Sequence, residues 1–365
     1  MTRPGLGRKL PGVALAVPAK RAALYWIRSA LGRRSQLQRT PMLRRSSQLL
    51  PALVALSTVG HAQAAVAPRS TADVLLLHGT VVDGTGSAAR HAALAAQLTI
   101  TPSHPAPGEF VQLRLTTSDS SGDSIRAVTG TMAGEPLHFA RGKDDGYSAL
   151  GAVPVDSAAR TTVEVIIGRA SGRADTLLKV IEVLSFPPPS EKLDVASRFG
   201  QALDSALEVR VAREGAMARE IGRRSHDTPR LWRAPFIRPR PSAITSRFGA
   251  GRTFNGQVTS RHLGVDFRGA KGDAVRAANR GVVALVDTFY LGGRIVYVDH
   301  GEGLVTAYMH LSKALVAVGD TVARGQRIGL VGATGRVTGP HLHWAARYGT
   351  LTANPFDLLS LPNGW

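Results

Sequence analysis

Short runs of valine, isoleucine and leucine, separated by glycine, fill the last third of the chain. Three of these runs are residues 282–286, 294–298 and 304–308, and Gly281 and Gly301 stand at their edges. Runs of this length and composition, bounded by glycine, are typical of β-strands joined by tight turns. The pattern predicts an all-β domain over residues 236–365, with almost no room for a long helix.

A second β-rich region precedes this domain. Residues 98–101, 110–115, 162–167 and 176–183 form short segments, several of which alternate apolar and polar residues as half-buried strands do. Turn-forming glycines and prolines separate them. The spacing predicts a small β-sandwich over residues 96–187. With 39 glycines, 21 prolines and only 5% aromatic residues, the chain as a whole is predicted to be mainly all-β.

The segments on either side of the sandwich are predicted to be connectors. Residues 65–95 are rich in alanine and predict a linker. The three prolines after Phe186 remove backbone donors and end the last strand. In residues 188–235, apolar residues recur at helical spacing. This predicts a helical linker whose amphipathic helix spans about 202–221 and packs on a neighbouring domain, with Gly215 as its weak point.

The N-terminus has the composition of an export signal. After Met42 come two arginines, a mostly apolar run over residues 49–59, and the small-residue site Ala62-Gln63-Ala64. This order predicts a secretory signal peptide over residues 42–64, and the apolar run is shorter than the roughly 20 residues of a membrane span. Residues 1–41 are basic and contain no acid. They are interpreted as an over-extended reading frame upstream of Met42, with a genuine basic extension as the alternative.

The net charge of +19 is unevenly distributed. Residues 1–64 contain 11 lysines and arginines and no acid, residues 65–235 are balanced, and residues 236–365 have a net charge of +8. No basic helix or base-stacking aromatic motif accompanies the charge, so it does not predict nucleic-acid binding. Cysteine is absent, which excludes disulfides, a thiol nucleophile and a cysteine-type zinc site.

Five side chains in the C-terminal domain have the composition of a catalytic zinc site: His262, Asp266, His310, His341 and His343. Two imidazoles and one carboxylate suit zinc, and a catalytic zinc keeps three protein ligands and one open position. Such a set leaves two histidines for proton transfer. The other histidines are interpreted as structural, and His300, in Asp299-His300-Gly301, as a turn residue.

Strand geometry limits how these residues can meet. In a regular strand, His341 and His343 lie on one face about 7 Å apart. His262 and Asp266 also share a face but are about 13 Å apart, which is too far for one ion with bonds near 2 Å. The chain must therefore bend between them, and Gly264 supplies the conformational freedom.

The order of motifs resembles the lysostaphin-type (LytM-like) zinc endopeptidases, which cut peptide cross-bridges of peptidoglycan. The resemblance covers about residues 244–355. Its anchors follow one another in the expected order: Ser246-Arg247-Phe248-Gly249, His262 to Asp266, Asp299-His300-Gly301, Tyr308 to Ser312, Gly319-Asp320, and Thr338-Gly339-Pro340-His341-Leu342-His343. The sandwich loosely resembles the immunoglobulin-like modules that precede wall-hydrolase domains, which implies a positioning or binding role.

The resemblance implies roles for the five side chains. His262, Asp266 and His343 are the implied Zn²⁺ ligands, and His341 and His310 are the implied catalytic histidines. The implied fold is the duplicated hybrid motif, with a shallow cleft for an extended peptide of peptidoglycan. One departure stands out: family members have a tyrosine in the loop before the first ligand, whereas residues 253–256 here are Thr-Phe-Asn-Gly.

Two functions follow from these patterns. The first is an exported zinc metalloendopeptidase of the periplasm or cell envelope, for which a direct stem-to-stem D,D bond is favoured over a glycine bridge on general wall chemistry. The alternative is a catalytically inactive wall-binding activator of a separate amidase. Inactive relatives typically lose zinc ligands, whereas this chain keeps three ligands and two further histidines, so the pattern favours the enzyme. Oligomeric state is not indicated by the sequence.

Overall fold

The computed structural model describes residues 73–76 and 94–362, apart from 120–121, 143, 187–190 and 257. The predicted basic extension and signal peptide lie outside the described residues. Within the described part, no helix is both long enough and apolar enough to cross a membrane.

Nine strands in two antiparallel sheets form the N-terminal half of the described chain. They are β1 (Asp73–Leu76), β2 (Leu94–Thr101), β3 (Phe110–Asp119), β4 (Ile125–Met132), β5 (Glu135–Leu137), β6 (Ala140–Arg141), β7 (Tyr147–Ala152), β8 (Arg160–Arg169) and β9 (Ala174–Glu182). One sheet has the order β1-β2-β3-β7-β6 and the other β5-β4-β8-β9. The four strand segments predicted in this region are confirmed.

The two sheets share one hydrophobic core, as a β-sandwich does. In β8, Val163, Val165 and Ile167 are fully buried, while Ile166 is 37% exposed. This alternation follows from the two-residue period of a strand, which turns every second side chain to the same face. Each buried aliphatic side chain contributes roughly 1.5–3 kcal/mol to folding. The pairing of two sheets agrees with the predicted fold class, whereas the immunoglobulin-like character of this module stays a prediction.

Thirteen strands form the C-terminal half. They are β10 (Glu191–Leu193), β11 (Ile244–Ser246), β12 (Gly251–Phe254), β13 (Val258–Arg261), β14 (Val265–Arg268), β15 (Ala274–Arg276), β16 (Gly281–Phe289), β17 (Gly293–Gly301), β18 (Leu304–Ala314), β19 (Thr321–Val322), β20 (Arg327–Val331), β21 (His341–Tyr348) and β22 (Leu351–Ala353). The main sheet runs β11-β14-β21-β18-β17-β16-β19, with β15, β20 and β22 attached beside it. A separate three-stranded sheet has the order β10-β12-β13.

The main sheet has an apolar layer on each face. On one face, Phe267, Leu342 and Trp344 belong to the largest core cluster among the described residues. On the other, residues such as Ala307 and Ala345 pack with one helix. Because strand residues alternate between faces, the neighbours of Phe267, Leu342 and Trp344 in β14 and β21 point to the helix side of the sheet.

One helix, α1 (Ser205–Ser225), packs on this second face. The Asp204 side chain caps its start by accepting a hydrogen bond from the Leu207 amide at 2.8 Å. The predicted helix is confirmed, but it starts three residues later than expected and ends four residues later. Gly215 does not interrupt it, because packing on the sheet offsets the low helix propensity of one glycine.

Two segments interpreted as connectors contain sheet strands. Within residues 65–95, β1 pairs with β2, so the interpretation of this segment as a linker is incomplete. Within residues 188–235, β10 pairs in parallel with β12 of the C-terminal domain. Backbone pairing between distant segments leaves no local signal in such short strands, and this is why the periodicity did not indicate them.

The sandwich contacts the C-terminal domain through buried polar groups, within a compact unit that spans residues 65–365. Glu135 accepts a hydrogen bond from the Thr350 amide at 2.9 Å, and its other oxygen lies 3.0 Å from His226 Nε2. The Phe110 amide donates to the Asp357 carboxylate at 3.0 Å. Paired buried polar groups favour one mutual arrangement of two surfaces, because each loses its partner if the surfaces separate.

His300 is not the turn residue that the sequence indicated. It lies in β17, is fully buried, and contacts the Arg280 carbonyl oxygen at 2.7 Å and Thr306 Oγ1 at 2.8 Å. Burial lowers the pKa of His300 to about 4, so the ring stays neutral where an exposed histidine takes up a proton.

This burial predicts a pH-dependent stability. Between an unfolded pKa near 6.5 and the folded value, only the unfolded chain is protonated at His300, so acid favours unfolding. The stabilisation that comes from the neutral His300 ring is fully present above about pH 6.5 and is lost as the pH falls toward about 4. From pH 7 to pH 5 the loss due to His300 is about 2 kcal/mol. Urea unfolding at pH 7 and pH 5 measures the drop in the free energy of unfolding. This drop should be smaller by about 2 kcal/mol in His300→Gln than in the unaltered chain, and an equal drop in both proteins would contradict the role of His300.

Candidate metal centre

Asp266 and His343 lie directly opposite each other on neighbouring strands. Asp266 is in β14, His343 is in β21, and the antiparallel register pairs the two residues. Their neighbours Phe267, Leu342 and Trp344 are buried in the main core, so both side chains point to the opposite face. The distance from Asp266 Oδ1 to His343 Nδ1 is 2.8 Å.

His262 joins this pair because the chain bends after β13. The residue lies between β13 and β14, is 2% exposed, and places Nε2 2.9 Å from Asp266 Oδ1. The predicted bend is therefore present, but its reason differs from the prediction. Gly264 does not adopt the left-handed backbone region. Instead, a side-chain carbon on Gly264 would overlap the imidazole ring of His343, so glycine is required for space.

This close approach predicts that Gly264→Ala displaces His343 and weakens metal binding. We expect zinc affinity to fall about 10- to 100-fold, as it does when groups that orient a ligand are changed. The measurement is zinc competition with a chromophoric chelator. Gly215→Ala is the matched control, because its new methyl meets only the flexible end of Arg219. Unchanged zinc affinity in Gly264→Ala would contradict the packing argument.

The three side chains form a group that fits a metal ion. His262, Asp266 and His343 each offer one ligand atom, and His262 Nε2 lies 3.0 Å from His343 Nδ1. His262 Nδ1 is 2.8 Å from the Arg247 carbonyl oxygen, to which it can only donate, so Nε2 presents a lone pair. A nitrogen lone pair and a carboxylate oxygen converging in a buried site repel each other unless a cation lies between them. The donor set and its convergence suit zinc.

His310 reaches the same face of the sheet through an irregularity in β18. Tyr308 and Leu311 are both buried in the main core, although three residues apart in a strand would ordinarily face opposite sides. The register with β17 shifts by one residue here, and His310 has a left-handed backbone with φ of +61°. This bulge turns His310 toward the site, with its ring centroid 4.8 Å from that of His341 and 5.8 Å from that of His343.

Backbone carbonyl groups set the orientation of both remaining histidines. His310 Nδ1 is 2.8 Å from the Thr334 carbonyl oxygen, and His341 Nδ1 is 2.9 Å from that of Gly339. Because a carbonyl oxygen only accepts, both Nδ1 atoms carry hydrogen and both Nε2 atoms have a free lone pair when the rings are neutral. His341 Nε2 lies 3.7 Å from Asp266 Oδ1, so this lone pair is beside the ligand group.

Burial controls the charge of the cluster. Burial would raise the pKa of Asp266, but the adjacent imidazoles of His262 and His343 keep that pKa far below the ordinary aspartate value. Burial lowers the pKa of His343 to about 4 and lowers the pKa of His310 well below its usual value, with the nearby His341 and His343 adding to the effect on His310. Asp266 is therefore ionised and the rings of His343 and His310 are neutral; an ionised carboxylate and a neutral imidazole are the protonation states that metal ligands need.

An outer set of side chains orients two of the candidate ligands. Arg252 donates to Asp266 Oδ2 at 2.6 Å and to Glu191 at 2.8 Å. Ser246 donates to the other Glu191 oxygen at 2.6 Å and lies 3.1 Å from His262 Nδ1. Partners of this kind fix ligand geometry in metal sites. Sequence reasoning missed Arg252 and Glu191, because only the fold brings β10 and β12 beside the ligands.

Residues 253–256, where the family pattern implied a tyrosine, contain Phe254 as their aromatic residue, at the end of β12. The Phe254 ring is buried and is covered by the guanidinium of Arg336, with 4.1 Å from Cζ to the ring centroid. Tyr290 lies close enough to Arg336 to interact electrostatically, but its hydroxyl donates to the Arg198 carbonyl oxygen. The departure noted in the sequence is therefore present in the fold.

Comparison with known proteins gives consistent matches to the C-terminal domain. The family model described as Peptidase family M23 matches residues 260–355. The chain is 49% identical over 104 residues to the peptidoglycan DD-endopeptidase ShyA of Vibrio cholerae, which covers 28% of this chain and 24% of the relative. It is also 38% identical over 114 residues to the peptidoglycan DD-endopeptidase ShyC of the same organism, and this match covers 31% of this chain and 26% of the relative. The chain thus spans about a quarter of the length of these curated relatives.

A solved structure extends the likeness beyond this domain. The putative peptidase M23 of Pseudomonas aeruginosa is 25% identical, with a TM-score of 0.52, and the match covers 70% of this chain and 95% of that protein. The shared architecture therefore includes more than the residues that the family model matches. Together, the ordered motifs, the His–Asp–His group and these similarities show that the C-terminal domain of this chain belongs to peptidase family M23, the LytM and lysostaphin family.

Proposed function

We propose that this chain is an exported zinc endopeptidase that hydrolyses peptide cross-links of peptidoglycan. The observation that carries the proposal is the convergence of His262 Nε2, Asp266 Oδ1 and His343 Nδ1, which lie 2.8–3.0 Å apart beside His310 and His341. Relatives named peptidoglycan DD-endopeptidases support the substrate class, and favour a bond between two D-centres.

In this proposal His262, Asp266 and His343 hold zinc. When bound there, zinc supplies a Lewis acid that lowers the pKa of water and polarises the scissile carbonyl group. Arg252 holds the second Asp266 oxygen, so the first remains directed at the metal position. Burial of the cluster strengthens each of these interactions, because little water is present to screen them.

His310 and His341 carry the proton transfers. Each has a free Nε2 lone pair in the neutral state, fixed by the carbonyl group that accepts from Nδ1. One ring takes the proton of the attacking water on Nε2, and the other, when it is protonated on Nε2, donates to the developing oxyanion or to the leaving amine. The two rings share one tautomer, so either assignment of these two roles agrees with the geometry.

The predicted signal peptide and the relatives named peptidoglycan DD-endopeptidases support a location in the cell envelope. We propose cleavage after Ala64, which N-terminal sequencing of the exported protein tests. The alternative function, an inactive activator of an amidase, requires no metal ligands. The intact His–Asp–His group and the two oriented histidines favour the enzyme.

Digestion of purified cell wall tests the proposed function. The chain should release soluble fragments from wall in the presence of zinc, lose this activity with a chelator and regain it when zinc is restored. His343→Ala should release none. Equal release by His343→Ala, or no release by the unaltered protein under any metal condition, would favour the activator.

A further inference from the structure

Among the residues that the structure describes, no anionic group pairs with the half-buried cation Arg336. Its guanidinium covers the Phe254 ring, with 4.1 Å from Cζ to the ring centroid. Within the described residues, no oxygen atom accepts a hydrogen bond from this guanidinium and no carboxylate pairs with it. Arg252, by contrast, contacts two carboxylates, those of Glu191 and Asp266.

Arg336 connects two segments that border the metal centre. Its backbone amide donates to the Leu291 carbonyl oxygen at 2.9 Å, in the same loop whose Thr334 carbonyl orients His310. Its guanidinium reaches Phe254, two residues from Arg252 on the same face of β12. Arg336 therefore extends from the loop that holds His310 to the hairpin that holds the Asp266 partner.

Leaving such a cation unpaired has an energetic cost. Burial, with a contribution from the Arg252 charge, lowers the pKa of Arg336 to about 10, so the group is still charged at neutral pH. A guanidinium has five donors in a planar fork that matches a carboxylate in a bidentate pair. A carboxylate placed there would supply a paired set of hydrogen bonds and the negative charge that the surrounding residues do not.

We propose that Arg336 forms a specificity subsite for a free carboxylate of the peptide substrate. The inference rests on the proposed function for the identity of that peptide. In a D,D bond, the amide nitrogen is attached to the α-carbon of an amino-acid centre. That same carbon carries a carboxyl group, which therefore lies close to the bond that is cut. Cell walls carry this group either free or amidated, and Arg336 discriminates in favour of the free acid.

Binding of two matched peptides tests the subsite. The probes are dansyl-L-Ala-D-Ala-D-Ala with a free C-terminal carboxylate and its C-terminal carboxamide. The host is the full chain with zinc and with His341→Ala to prevent turnover. We expect the carboxylate peptide to bind about 10-fold more tightly, because only the carboxylate forms a charge-assisted, bidentate pair with the guanidinium. Arg336→Gln should bind both peptides within about 2-fold of each other.

Two further variants separate the subsite from charge and folding effects. Arg336→Lys keeps the charge but not the planar fork, and should retain a reduced preference of about 3-fold. Arg126→Gln removes one positive charge from an exposed position of β4 in the sandwich and should keep the full preference. Because Arg336→Lys retains the charge over Phe254, it provides the test if Arg336→Gln does not fold.

The results that test the Arg336 subsite can be told apart from those that test the endopeptidase activity. Equal binding of the two peptides by the Arg336-containing protein, no binding of either peptide, or an undiminished preference in the Arg336 variants would overturn the subsite. A carboxylate preference in a protein that, with His341 intact, leaves wall cross-links uncut would support the subsite and refute the endopeptidase.

Discussion

Asp266→Asn is expected to lose zinc and wall hydrolysis together. Asparagine keeps the shape of the side chain but not the negative charge, and Asp266 is the one acid in the candidate ligand group. Zinc affinity should fall at least about 100-fold, beyond the 10- to 100-fold typical of losing a group that only orients a ligand. Competition with a chelator measures the affinity, and fragment release from cell wall measures the activity.

The matched control for this substitution is Asp273→Asn. Asp273 is in the same domain and forms an ion pair of 2.8 Å with Arg240, so the control also removes a paired carboxylate. Its zinc affinity and activity should equal those of the unaltered chain. An Asp266→Asn protein that folds and still binds one zinc ion with unchanged affinity would show that the His–Asp–His group is not the metal centre.

His310→Asn is expected to keep zinc but lose catalytic rate. His310 is outside the proposed ligand set, and loss of a general acid or base costs about 10²–10⁴ in rate. Asparagine is chosen because the residue has φ of +61°, a region that asparagine tolerates better than most side chains. Metal content by mass spectrometry and kcat on a cross-linked muropeptide should separate the two effects.

A surface histidine provides the comparison for this variant. His104 is exposed in the sandwich, next to Ser103, and His104→Asn should leave both zinc content and kcat unchanged. Zinc loss in His310→Asn would assign His310 to the metal ligands, and a kcat within about 3-fold of the unaltered chain would exclude the acid–base role proposed for it.

Much of the centre is predictable from local sequence because its parts are strand residues of known period. The two-residue period places His341 and His343 on one face, and the 13 Å spacing of His262 and Asp266 requires a bend in an otherwise straight strand. The bend is present, and His262 Nε2 lies 2.9 Å from Asp266 Oδ1. Gly264 was identified correctly, but as a flexible residue rather than as the space that His343 occupies.

The remainder depends on long-range packing that no local pattern contains. His310 would face the main core in a regular strand, and only the one-residue bulge in β18 brings it to the site. Glu191 and Arg252 are 61 positions apart, and the parallel pairing of β10 with β12 brings them together. Arg336, in the loop before β21, and Phe254, at the end of β12, are likewise brought into contact only by the fold.

The bond that is cut provides the most direct test of the central claim. Purified cell wall is digested with the zinc-loaded chain, and the released fragments are identified by mass spectrometry. We expect cross-linked peptides to be converted to monomers by addition of one water at the amide between two stem peptides, and we expect no conversion by Asp266→Asn. Fragments in which the stem peptide is severed from the sugar, or cross-linked peptides that remain intact, would contradict it.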